Sequence, residues 1–246
     1  MPKTEADEWF ETYLLDHGYA PGEHEPDLTT VGISSKPDFL PRNARGEQIV
    51  CEVKAFGPNR LTRRLQLGRF FSTLGDELWT PVRDQVRAAA RTLKPVQALG
   101  LPLVVVITNT DSRVFVDLSV ETVTRTLLGV GGKLTRDHRY LSAIALMRRE
   151  DHAYVEQRKL TARVRETTPD WAQLSRPEQI NRYVEAVLGR SFSDGATYWL
   201  DVIETRSPTA TPLPDGWFAG PRDSRWLLTV EGDPESLVCV RGSAAH

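Results

Sequence analysis

Two acidic residues and a lysine lie on either side of a short polar segment near the beginning of the chain, and together they can do chemistry. Asp38 precedes the segment 42–47, and Glu52 and Lys54 follow it. Mg²⁺ often takes only one or two carboxylates from a protein, with waters and substrate phosphate completing its ligands. The backbone carbonyl of Val53 can supply a further oxygen, and the nearby Lys54 can hold or help deprotonate the attacking water and can balance transition-state charge. These residue types therefore suit metal-assisted hydrolysis of a phosphodiester bond.

The residues around this set are predicted to form two extended segments joined by a turn. Residues 37–40 form the first segment, and residues 48–56, which are rich in Ile, Val and Phe, form the second as a strand. Because side chains alternate along a strand, Glu52 and Lys54 point the same way. If the two segments pair as a hairpin, Asp38 comes to lie beside Glu52.

The same residues also have an ordinary structural interpretation. An Asp that follows a Pro is usually a turn residue or a helix cap. A Glu and a Lys two positions apart on a strand usually form a weak, solvated ion pair. From Pro37-Asp38 and Glu52-Val53-Lys54 alone, this interpretation stays open.

The spacing of Pro37-Asp38 and Glu52-Val53-Lys54 resembles the signature of the PD-(D/E)xK nuclease superfamily, which has the restriction-endonuclease-like fold. The order of predicted elements over residues 4–108 is also similar: a helix, a short strand, the two motif strands, a second helix and a further strand. The resemblance implies an α/β protein with an αβββαβ core, a mixed central sheet flanked by helices, and a C-terminal α+β elaboration. It also implies that Asp38 and Glu52 bind Mg²⁺ or Mn²⁺ and that Lys54 is catalytic.

The resemblance further implies a carboxylate from the first helix. The sequence predicts this helix from Thr4, as the N-cap, to Gly18. The superfamily often contributes a glutamate from it to the metal site, and the candidates are Glu8 and Glu11. Glu11 is closer to the edge of the apolar face and is favoured, although either glutamate can equally be a solvated surface charge.

A basic cluster after the second motif strand is the candidate surface for DNA. It lies in the stretch 57–80 and has two open interpretations, a DNA-contacting arm or a solvated helix. Its members are Arg60, Arg63, Arg64 and Arg69.

Hydrophobic periodicity and turn residues predict the remaining elements. A short strand is expected over 24–31. The Pro- and Gly-rich stretch 207–226 is expected to be a surface segment anchored by Trp217, Phe218 and Trp226, for which packing is favoured over stacking on nucleic-acid bases. The other expected elements are a helix over 81–99, strands over 103–108, 113–118, 140–147 and 197–204, a short helix over 119–128, and helices within 150–189.

Composition limits the class of protein. The chain has 246 residues, of which 40% are hydrophobic and 26% charged, and its net charge of −2 provides no overall basic field for nucleic acid. Its 2 cysteines give neither a disulfide framework nor zinc-ligand spacing, which fits a reducing compartment. Without a visible signal peptide or an apolar run near the roughly 20 residues of a membrane span, we expect a cytoplasmic protein that does not bind membranes.

These observations favour a Mg²⁺- or Mn²⁺-dependent nuclease that hydrolyses DNA phosphodiester bonds through an activated water. We expect residues 1–108 to form the nuclease-like core and residues 109–246 an elaboration packed on the same domain. The alternative is a catalytically silent module with this fold that binds nucleic acid or protein, and RNA is a weaker third possibility as substrate. A homodimer is expected by resemblance only, and the motif does not distinguish exonuclease from endonuclease cleavage.

Overall fold

The chain divides into two compact units in a computed structural model. The first comprises residues 1–148 and 199–246, and the second comprises residues 149–198. The structure describes residues 2–55, 75–110, 120, 123–124, 139–188, 190–228 and 236–241. The predicted division into a core and an elaboration at residue 108 stays a prediction.

Helices and strands alternate along much of the described chain. The helices are α1 (Glu5–Asp16), α2 (Gly75–Leu93), α3 (His152–Thr167) and α4 (Arg176–Val187). The strands are β1 (Val50–Ala55), β2 (Leu103–Thr108), β3 (Ala143–Asp151), β4 (Ala196–Glu204), β5 (Ser224–Leu228) and β6 (Leu237–Arg241). Short 3₁₀ helices lie at Thr29–Val31, Lys94–Leu99 and Trp171–Gln173. No helix in these parts of the chain is both long and apolar enough to cross a membrane.

The six strands found in the described residues form one sheet in the order β1-β2-β3-β4-β5-β6. Strand β1 pairs with β2, β2 with β3 and β4 with β5 in parallel, whereas β5 and β6 are antiparallel. The expectation of an α/β protein with a mixed central sheet flanked by helices is therefore confirmed.

Strand β2 is buried along its whole length, as its continuous apolar run predicts. Val105 and Ile107 belong to one core cluster with Val86 and Leu93 of α2. Val50 of β1 lies in the same cluster, so the side of β1 that carries Val50 faces α2. This packing fixes the orientation of β1.

Helix α1 begins at the predicted N-cap. The Thr4 hydroxyl accepts a hydrogen bond from the backbone N–H of Asp7, and the Asp7 carboxylate accepts from the backbone N–H of Thr4, which completes a capping box. Its apolar face includes Phe10 and Tyr13, which are fully buried. The ring of Phe10 lies edge-on to Phe39, with ring centroids 5.5 Å apart, so α1 packs against the segment that precedes β1.

One local prediction is wrong, and another is confirmed with different bounds. Residues 24–31 contain a 3₁₀ turn instead of a strand, because Asp27 accepts hydrogen bonds from the backbone N–H and hydroxyl of Thr29 and so starts a turn. The helix expected over 81–99 begins earlier, at Gly75, and becomes a 3₁₀ helix after Leu93. Pro95 has no N–H to continue the α-helical hydrogen bonds.

The C-terminal part differs from expectation mainly in its strands. Trp217 and Phe218 are fully buried, so their predicted packing role is confirmed. Trp226 lies within β5, and neither β5 nor β6 was predicted. The strand expected over 113–118 lies outside the described residues. Of the short helix expected over 119–128, only residues 120, 123 and 124 are described, and they are helical.

Candidate metal centre

A short antiparallel pairing brings the two motif segments together. Phe39 and Cys51 exchange two backbone hydrogen bonds, of 3.0 and 2.9 Å, and Arg42 bridges to Gln48. Between them the Gly46 N–H donates to the carbonyl of Asn43 at 2.9 Å and closes the turn. The predicted hairpin therefore forms, although residues 37–40 make isolated bridges and not a regular strand.

The pairing places Asp38 at the end of β1. One carboxylate oxygen of Asp38, Oδ2, accepts a 2.7 Å hydrogen bond from the backbone N–H of Val53. The ammonium nitrogen of Lys54 lies 3.6 Å from the same oxygen and 2.6 Å from Oε1 of Glu52. The structure therefore brings together Asp38, Glu52 and Lys54.

Backbone alternation decides which edge of β1 the carbonyl of Val53 faces. The N–H of Val50 donates to Pro102 on the β2 side, and the N–H of Cys51 donates to Phe39 on the hairpin side. The N–H and C=O of one residue in a strand point to the same edge, and this edge alternates with each residue. The carbonyl of Val53 therefore lies on the hairpin edge, where Asp38 also lies.

Glu52 is the most unusual carboxylate of the set. It is only 3% exposed, and its Oε2 atom has no hydrogen-bond partner among the described residues. Burial, and then the negative charge of Asp38, raise the pKa of Glu52 to about 7, against the opposing effects of Lys54 and of the Thr92 side chain, which hydrogen-bonds to the Glu52 carboxyl. A cation that reaches the free oxygen would stabilise the charged form of this carboxyl.

Asp38 and Lys54 are shifted by the same surroundings. Burial raises the pKa of Asp38, and the charge of Lys54 and the hydrogen bond from Val53 only partly offset it. Burial alone would lower the pKa of Lys54, but the charges and hydrogen bonds of Glu52 and Asp38 outweigh it and raise that pKa. Lys54 is consequently an ammonium at neutral pH.

Helix α1 contributes Asp7 to this region. Asp7 is 5% exposed, and its ligand atoms, with those of His24 and Asp38, all lie within 4.8 Å of one another. The imidazole Nε2 of His24 lies 3.6 Å from Oδ2 of Asp7 and has no hydrogen-bond partner in the described part of the chain. This group of three shares Asp38 with the set formed by Asp38, Glu52 and Lys54, but Glu52 is not a member of it.

The glutamates predicted from α1 lie elsewhere. Both carboxylate oxygens of Glu11 accept hydrogen bonds from Lys3 at 2.7 Å, and Glu8 is exposed. The structure does not place either in the cluster. Asp7 was not predicted as a site residue, because acidic residues are common in the first turn of a helix, where they interact favourably with the helix dipole. The available signal was its spacing of seven residues from the buried Leu14, which puts both on one helix face.

The donors fit a divalent cation. Carboxylate and carbonyl oxygens are the ligands of Mg²⁺ and Mn²⁺, and an imidazole is accepted by transition metals. Two buried polar atoms, Oε2 of Glu52 and Nε2 of His24, have no hydrogen-bond partner among the residues described. Burial is the main cause that raises the pKa of Asp38 and of Glu52, and a nearby cation would favour the charged form of each.

The predicted DNA-contacting arginines Arg60, Arg63, Arg64 and Arg69 lie outside the described residues. Comparisons of the chain with protein-family models, curated proteins and solved structures found no match.

The raised pKa of Glu52 predicts a pH-dependent stability of the metal-free protein. A carboxyl with a pKa near 7 in the folded state and 4.5 unfolded binds more protons when folded across this interval. The unfolding free energy should therefore fall as pH rises from about 4.5 to about 7, by an amount on the order of 2–3 kcal/mol. Urea unfolding of the wild type and of Glu52→Gln at several pH values measures the difference due to Glu52.

The wild type should lose stability relative to Glu52→Gln as pH rises, and Mn²⁺ added to the wild type above pH 7 should restore it by binding the folded state. A stability difference between the two proteins that does not change with pH would show that Glu52 titrates normally.

Proposed function

We propose that the chain is a metal-dependent deoxyribonuclease with a restriction-endonuclease-like core. The observation that carries the proposal is the convergence of Asp38, Glu52 and Lys54 at one strand end, with a buried carboxylate oxygen left without a described partner. The order of elements along the chain supports the proposal, since α1 is followed by the hairpin that includes β1, and then by α2 and β2. The 3₁₀ turn at Thr29–Val31 departs from the core pattern, which has a short strand at this place.

Asp38 and Glu52 would hold Mg²⁺ or Mn²⁺, with the carbonyl of Val53 as a further ligand from the same edge. Such an ion supplies Lewis-acid polarisation of a phosphate oxygen and lowers the pKa of a bound water. The hydrogen bond from the N–H of Val53 fixes one oxygen of Asp38 and leaves the other for coordination. The two carboxylates are therefore oriented before any ligand arrives.

Lys54 would act as a cation. Its raised pKa argues against removal of a proton by this side chain, since the neutral amine is scarcely populated at neutral pH. The ammonium can instead donate hydrogen bonds to the attacking water and to a non-bridging phosphate oxygen. It thereby stabilises the negative charge that increases as the water oxygen bonds to phosphorus.

Asp7 and His24 would add ligands next to Asp38. An imidazole ligand favours transition metals, whereas Mg²⁺ prefers oxygen ligands alone. The position of His24 among the carboxylates therefore favours Mn²⁺ over Mg²⁺ as the more tightly bound ion.

Substitution of the two motif carboxylates tests the assignment. Asp38→Asn and Glu52→Gln keep the shape of each side chain but remove its charge, so each should lower metal-dependent DNA cleavage by at least about 100-fold. The measurement is the rate of cleavage of linear and supercoiled plasmid with Mg²⁺ or Mn²⁺.

Glu11→Gln is the matched control, because it removes a carboxylate from α1 that pairs with Lys3 outside the cluster. It should cut DNA at close to the wild-type rate. Full activity in either Asp38→Asn or Glu52→Gln would exclude the proposed site.

Calorimetric titration tests the metal centre separately from cleavage. The wild type should bind Mn²⁺ more tightly than Mg²⁺, and His24→Gln should weaken Mn²⁺ binding about 10-fold while changing Mg²⁺ binding little. His152→Gln is the control, because this imidazole is hydrogen-bonded to Thr197 instead. Unchanged Mn²⁺ binding in His24→Gln would remove His24 from the centre.

A further inference from the structure

A groove on the unit formed by residues 149–198 is lined by residues that suit a ligand with several negative charges and flat aromatic rings. It lies along α3, with one contribution from α4, and has a volume of about 360 Å³. Its lining offers cations, hydrogen-bond donors and aromatic rings, and no carboxylate is among the described residues that line it. The principal lining residues are Tyr154, Gln157, Arg158, Thr161, Arg165 and Tyr183.

The two arginines of the groove lie on one face of α3. Arg158 and Arg165 are seven residues apart, which is two helical turns and about 10.5 Å along the axis. Both side chains are exposed. Two exposed cations in line along a groove without a carboxylate can contact successive phosphates of one strand.

Tyr154 supplies an aromatic surface beside the cations. It is 57% exposed, which is high for a tyrosine, and the guanidinium carbon of Arg158 lies 5.9 Å from its ring centroid. Tyr183 of α4 lines the same groove and is half-buried. An exposed ring next to an arginine is the arrangement on which an unpaired base stacks while its phosphate is neutralised.

We propose that this groove, lined by Tyr154, Arg158, Arg165 and Tyr183, binds a single strand of nucleic acid. The choice of nucleic acid as the occupant rests on the proposed function of the metal centre. A single strand is favoured over a duplex because stacking on Tyr154 needs a base whose face is exposed.

The opposite face of α3 provides a contrast. Lys159 and Arg163 line a second groove, of about 240 Å³, to which Arg190 adds a third cation and Glu156 a carboxylate. The carboxylate of Glu156 accepts a hydrogen bond from the backbone N–H of Ser193 at 3.0 Å and places a fixed negative charge there. This face has the same number of cations on α3 but lacks an exposed tyrosine.

The test uses the full chain in EDTA, so that binding is measured without cleavage. The probe is a fluorescent oligothymidylate of about 20 nucleotides, longer than the roughly 4–16 nucleotides that one single-strand-binding fold covers. Fluorescence anisotropy gives the dissociation constant between about 50 and 200 mM salt, where phosphate contacts dominate the salt dependence. Thermal unfolding of each variant checks that the fold is retained.

Tyr154→Ala should weaken binding about 5-fold or more because it removes the stacking ring, whereas Tyr154→Phe should bind like the wild type. The double substitution Arg158→Ala/Arg165→Ala should lower the slope of log affinity against log salt by about 1.4, or about 0.7 for each phosphate that is no longer neutralised. The matched control Lys159→Ala/Arg163→Ala removes the same charge from the other face and should change the slope much less.

Equal losses of affinity in the two double variants would show diffuse attraction to a basic helix and would overturn the proposal. Wild-type binding in Tyr154→Ala and Arg158→Ala/Arg165→Ala would also overturn it, even if the protein cuts DNA. Binding that depends on Tyr154 and the two arginines, in a protein that never cuts DNA, would support the groove and contradict the nuclease proposal.

Discussion

The candidate centre depends on the pair of backbone hydrogen bonds between Phe39 and Cys51. This pairing fixes the register of the hairpin on β1 and so decides where Asp38 meets the strand. A slip of one residue would turn the side chain of Asp38 to the opposite face. The register is held from both sides, because Phe39 is fully buried against Phe10 of α1 and Val50 is fully buried in the core against α2.

The same burial makes it costly to keep the carboxylates of the centre charged. Asp38 and Glu52 are mostly buried carboxylates that share the ammonium of Lys54, and Asp7, also buried, lies close to Asp38. Taking charge out of water is costly unless it is compensated, and the raised pKa values of Asp38 and Glu52 record that cost. A bound divalent cation would offset that cost and would then also stabilise the folded state.

Sequence patterns predicted the elements that depend on local signals. These include the capped start of α1, the buried run of β2 and the turn between the motif segments. They missed Asp7 and His24, since only the packing of α1 against the hairpin brings these residues to Asp38. They also missed β6, whose exposed residues show no alternation of buried and exposed side chains.

Metal-dependent cleavage of supercoiled plasmid by the wild type and Lys54→Ala tests the central claim most directly. Lys3→Ala serves as the control, because Lys3 pairs with Glu11 away from the centre. We expect the wild type and Lys3→Ala to cut DNA with Mg²⁺ or Mn²⁺, and EDTA or the loss of Lys54 to stop cutting. Cutting by Lys54→Ala at the wild-type rate, or cutting that persists in EDTA, would exclude the proposed metal-dependent site.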